Sequence, residues 1–105
     1  MTKAERQIRR IEKMEASLDA LMAANAALSS ALDAFEGAPA RAAEVSGYLG
    51  SENWWHDFES DAEGNLPAGL KRGVLSEDGA YNALADYREL VLRMLKAVTA
   101  AVRNG

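Results

Sequence analysis

Ile11, Met14, Leu18, Leu21, Leu28, Leu32 and Phe35 fall three and four residues apart, with Asn25 as the one polar member of the progression. That spacing places all of them on one stripe of a helix, a heptad seam. Ile8 and Met22 widen the stripe. Alanine, glutamate and arginine, all good helix formers, fill most of the rest. Thr2-Lys3-Ala4-Glu5 is a capping box: the Thr2 hydroxyl accepts from the Glu5 amide, and the Glu5 carboxylate reaches back. From Ile8 to Phe35 the seam runs roughly 40 Å at 1.5 Å per residue. A chain of 105 residues has little with which to cover so long a stripe. The seam therefore packs on the rest of its own chain or on a second copy, with Asn25 fixing register in either case.

A second seam closes the chain: Leu84, Tyr87, Val91, Met94, Val98 and Ala101, broadened by Ala80, Leu90, Leu95 and Val102. Ser76 caps that helix, with Glu77 and Asp78 in the first turn, where the helix dipole favours acids; Gly79 weakens the start. Between the seams the pattern breaks up. Gly37 suits the left-handed residue after the first helix, and Pro39 suits the first turn of the next. Ala42, Val45 and Leu49 share a face of a short second helix that Gly50 stops. Ser51 caps a third, in which Trp54 and Phe58 point inward and Trp55 lies at an edge. Asp61 to Asn65 is a turn. Leu66, Leu70 and Leu75 are expected to anchor the following loop, and Lys71-Arg72-Gly73 is a short basic exit from it. No stretch alternates like a strand. The expected fold is all-α, a single helical domain over 1–105. Two long antiparallel helices, about 3–36 and 77–103, enclose two short ones, about 39–49 and 52–60, and a loop.

Several function classes are disfavoured. With no cysteine, there is no disulfide scaffold, thiolate metal site or cysteine nucleophile. The N-terminus lacks the apolar core of a signal peptide. The most apolar stretch, Leu18 to Leu32, is interrupted by Asp19, Asn25, Ser29 and Ser30, so a cytoplasmic protein with no membrane partner is expected. The net charge of −4 opposes nucleic-acid binding. Arg6, Arg9, Arg10 and Lys13 make a basic start, but Glu5, Glu12 and Glu15 interleave with them, which reads as ion pairing along or between helices.

Residues 42–70 carry Glu44, Glu52, Asp57, Glu59, Asp61 and Glu63 with no lysine or arginine. Tested as a calcium loop from Glu59, this stretch gives oxygens at Glu59, Asp61 and Glu63 and a glycine at the sixth position, Gly64. The twelfth is Leu70, which cannot ligate. His56 has no second histidine or cysteine with which to hold zinc. No serine or threonine sits in a nucleophile motif, and the glycines lack P-loop spacing. No enzyme activity and no cofactor are expected. Tyr48, Trp55, Lys71 and Arg72 have the composition of a protein-binding rim.

Tyr48-Leu49-Gly50-Ser51, the run Trp54 to Glu59 and above all Leu66 to Asp78 (LPAGLKRGVLSED) resemble the bacterial domain-of-unknown-function family 4298. Arg10-Ile11-Glu12-Lys13-Met14-Glu15 is similar to its N-terminal pattern. The resemblance implies a short, mostly helical bacterial protein and brings no catalytic residues with it. The expected function is a small interaction module with an unidentified protein partner, self-association included. The alternative is binding of a small ligand or divalent cation through Asp57, Glu59, Asp61 and Glu63.

Overall fold

A computed structural model describes residues 1–105, apart from the side chain of Glu77. The expectation for that residue in the first turn of the last helix falls outside the described residues. The chain is all-α: α1 (Lys3–Phe35), α2 (Ala38–Tyr48), α3 (Glu52–Ala62), a single 3-10 turn η1 (Gly73–Leu75) and α4 (Glu77–Asn104). Each α-helix lies within two residues of its expected bounds. Contacts group the chain into two compact units, Met1–Ala38 and Pro39–Gly105.

The first unit is α1 and the turn that follows it. Thr2 caps it in extended backbone, its Oγ1 accepting from the Glu5 amide at 3.1 Å, and the Thr2 amide donates to Glu5 Oε2 at 3.4 Å. The capping box thus forms from sequence-local groups alone. At the other end the Glu36 amide donates to the Leu32 carbonyl. Glu36 is right-handed, and Gly37 is not left-handed as its place after the helix suggests. The chain passes into α2 without a left-handed residue. No residue of α1 is buried.

The second unit holds the core. Among the described residues the buried apolar groups are Trp54, Leu75 and Ala80, one each from α3, η1 and α4. The turn η1 touches both helices. Ala42 and Val45 of α2 and Leu49 just after it are half-buried along the face their spacing defines. Of the three leucines expected to anchor the loop, Leu75 does so and Leu66 is half-buried, but Leu70 is 49% exposed. Its backbone is occupied by a turn, the Leu70 amide donating to Pro67 O, and outside a helix neither a 3.6- nor a 2-residue period assigns its side chain to the core.

Two glycines are required by backbone conformation. Gly50, at φ 78°, ends α2, and Gly64, at φ 75°, ends α3. Around Gly64 the Asn65 amide donates to Ser60 O at 2.9 Å and the Gly64 amide to Asp61 O at 3.0 Å, the paired bonds of a Schellman ending. Gly79 matters for another reason. A Cβ there would lie 2.6 Å from Ser76 Oγ and 3.1 Å from the Gly73 carbonyl. Its absence lets η1 sit against the first turn of α4.

Candidate functional site

Three local devices shape the middle of the chain. Ser51 Oγ accepts from the Trp54 amide at 3.2 Å and donates to Tyr48 O at 2.6 Å, so one hydroxyl starts α3 and ties it to the end of α2. With α3 set, Trp54 turns inward at 4% exposure. Its ring stacks on Phe58 with centroids 5.1 Å apart and 16° between planes. Its Nε1 donates to the Val74 carbonyl at 2.9 Å, so the one polar atom of a buried indole is satisfied across twenty residues of sequence. Trp55 meets the Trp54 ring edge-on at 4.9 Å yet stays 52% exposed. Adjacent helical residues diverge by about 100°, which is why the two indoles divide between core and surface.

Tyr48 donates its hydroxyl to Asp57 Oδ2 at 2.6 Å. That bond, with lesser contributions from burial and the carboxylate charge, pushes the phenol up to about 12. Arg72 is the third device. Nη1 pairs with Asp61 Oδ1 at 2.5 Å, Nη2 donates to the Pro67 carbonyl and Nε to the Leu70 carbonyl at 3.3 Å. One planar guanidinium thereby pins the loop before η1 to the last turn of α3.

These bonds decide what remains of the sequence candidates. Of the expected partner-binding rim, Tyr48 and Arg72 are engaged inside the unit, while Trp55 and Lys71 are exposed. The acidic set is dispersed as well. Asp57 accepts from Tyr48, Asp61 is paired with Arg72, Glu63 accepts from Asn65 Nδ2 at 3.1 Å, and Glu59 is exposed. Among the described residues no three histidine, cysteine or acidic side chains converge as metal ligands. A surface cleft of about 450 Å³ opens beside η1, lined by Val45, Val74, Ala80 and Ala83 with Lys71 at its polar side. Sequence reasoning did not place this cleft, because it exists only once η1 and Gly79 bring Val74 against α4.

A long exposed apolar stripe lies outside this region, on α1. Ile11, Met14, Leu18, Leu21, Leu28 and Leu32 are all 46–58% exposed, and Ile8 and Met22 beside them are 54% and 60% exposed. On α4 the seam divides. Leu84, Tyr87 and Met94 are half-buried, whereas Leu90, Leu92, Leu95, Val98 and Val102 are exposed. Among the described residues no helix is long and apolar enough to cross a membrane.

Capped helices, a one-tryptophan core and an unburied heptad seam define a small all-helical protein without strands among its described residues. Residues 11–97 match the family model described as "Domain of unknown function (DUF4298)", and the chain belongs to that family. Comparison with curated proteins and with solved structures finds no match.

Proposed function

We propose that this chain is a small protein-interaction module that works by helix association through α1, self-association being the form its seam best supports. One observation carries the reading: a long apolar stripe, interrupted only at Asn25, on a 33-residue helix that buries none of its own residues. Monomeric proteins rarely leave an apolar patch of that extent in water. A helix draws its stability from propensity, caps and the packing or association of its apolar face. The stripe is regular and uncharged along its centre, as a helix-binding surface requires. The middle segment has less support as the contact surface, since Tyr48 and Arg72 are occupied within their own unit. Cation binding through Asp57, Glu59, Asp61 and Glu63 has less again, because three of those carboxylates already hold internal partners.

Sedimentation equilibrium of the pure protein across a hundredfold range of concentration tests this reading. An oligomer is expected, with a melting temperature that rises with concentration. Leu21→Glu, which puts a charge in mid-seam, is expected to leave a monomer with unit 39–105 still folded. A wild-type chain that stays monomeric throughout defeats the self-association reading.

A further inference from the structure

We propose that two copies of this chain pair through α1 as a parallel, in-register, two-stranded coiled coil. Asn25 faces the partner's Asn25, and Arg10 reaches the partner's Glu15. This rests on the preceding reading and specifies its partner and geometry.

The register follows from position. Ile11, Leu18, Asn25 and Leu32 recur every seven residues and are the a positions; Met14, Leu21, Leu28 and Phe35 are the d positions. A straight α-helix drifts about 20° per heptad from a strict seven-residue repeat. A seam that keeps the repeat over four heptads stays on one face only when two helices wind around each other. The eight exposed apolar side chains from Ile8 to Leu32, each about half uncovered, offer on the order of 700 Å² per chain, close to the ~800 Å² per partner of a standard interface.

Asn25 gives the direction. In a parallel pair a residues face a residues, so two Asn25 amides meet and satisfy each other across the seam. In an antiparallel pair a faces d, and every d residue here is apolar: Met14, Leu21, Leu28 or Phe35. Each amide would then be buried against hydrocarbon, unsatisfied, whatever the stagger.

The flanking charges give the same answer independently. Arg10 is a g residue and Glu15 the e residue of the next heptad, and a parallel in-register pair sets each g beside the partner's following e. Both are exposed, and neither forms an ion pair among the described residues. An antiparallel pair sets g beside g. The other g residues along the helix are Lys3, Ser17, Ala24 and Ala31, none of them acidic, so Arg10 would find no counter-charge.

The chain has no cysteine, so single introduced cysteines report direction without interference. Met14→Cys and Leu32→Cys are prepared in the full chain, mixed as reduced dimers, oxidised, and the disulfide-linked species weighed by mass spectrometry. In the parallel pair each variant links to itself, and the mixture yields no disulfide between the two different variants. In the antiparallel pair residues 14 and 32 face each other, and the mixed product dominates. Predominance of the mixed product, or a sedimenting oligomer in which neither variant links to itself, overturns this geometry and leaves self-association standing. A monomer in sedimentation overturns both. Because cysteine can weaken a seam, charge reversal provides a second readout. Arg10→Glu and Glu15→Arg are each expected to weaken dimerisation about five- to tenfold, and the double variant to restore it. Failure of the double variant to recover overturns the Arg10–Glu15 contact.

Discussion

Helix α1 and the Trp54 cluster handle apolar surface in opposite ways. Along α1 the apolar residues are many and regular, and all are exposed or half-exposed; the helix opens on its Thr2–Glu5 box and is rich in alanine, a strong helix former. Around Trp54 the buried groups are few, Trp54, Leu75 and Ala80, drawn from three elements. There the order comes from polar closures: an indole N–H on Val74 O, a hydroxyl on Asp57, a guanidinium on Asp61 and two carbonyls. The difference shows that the amount of apolar sequence does not locate a core. A core forms where irregular segments are brought together and their polar atoms are answered; a regular seam only states that something must cover it.

The comparison can be broken most severely at Trp54. Trp54→Ala removes the stacked ring and leaves Val74 O without its donor, an expected loss of about 3–5 kcal/mol. Urea unfolding followed by circular dichroism checks it. In a unit this small such a loss amounts to unfolding, and a loss below about 1 kcal/mol would show that the indole is not the pivot.

Arg72→Ala tests the loop clamp. It is expected to cost about 1–2 kcal/mol through the lost carbonyl bonds and ion pair, discounted because the pair is partly exposed. Arg72→Lys should recover little, since an ammonium cannot reach three acceptors in one plane. The midpoint of urea unfolding reads both variants.

Tyr48→Phe sharpens the contrast by pH. With the folded phenol near 12 and an unfolded tyrosine near about 10, the unfolded chain loses its proton first. The contribution is therefore complete below pH ~10 and fades as pH rises toward ~12. Below that window Tyr48→Phe is expected to cost about 1 kcal/mol. The gap between wild type and variant, measured by urea midpoints at successive pH values, should close as the window is crossed.

The smallest effect belongs to the seam. In dilute solution Leu21→Ala is expected to lie within about ±0.5 kcal/mol of wild type, as for a surface site. At high concentration the same substitution should lower the melting temperature by several degrees. A cost independent of concentration would mean that Leu21 is covered within its own chain.

What the sequence made legible was local. The caps at Thr2, Ser51 and Ser76 act over three residues, and the Trp54–Trp55 split follows from one helical step. Helix bounds followed from period and caps. The closures of the middle segment were not legible, because Tyr48–Asp57, Asp61–Arg72 and Trp54–Val74 span nine, eleven and twenty residues. Their meeting depends on the path of a loop that carries no period. For the same reason Lys71-Arg72 read as a surface pair although only one of them remains free of the fold. Gly37 and Gly64 each follow a helix, and composition could not tell which would turn left-handed. The seam of α1 was legible in full, but periodicity reports a face and not its occupant.

The guanidinium of Arg72 also bears on how the chain is cut. Residues 63–72 form the one long stretch between α3 and η1, and Lys71 and Arg72 stand side by side at its end. A protease that cleaves after basic residues must draw such a segment into an extended strand and seat the basic side chain in its own acidic pocket. Lys71 is exposed and can be presented. Arg72 is already seated, against Asp61 and the carbonyls of Pro67 and Leu70. The first nick should therefore fall after Lys71, with the bond after Arg72 yielding only once the clamp has opened. The order of two adjacent cleavages thus measures how often the loop lets go.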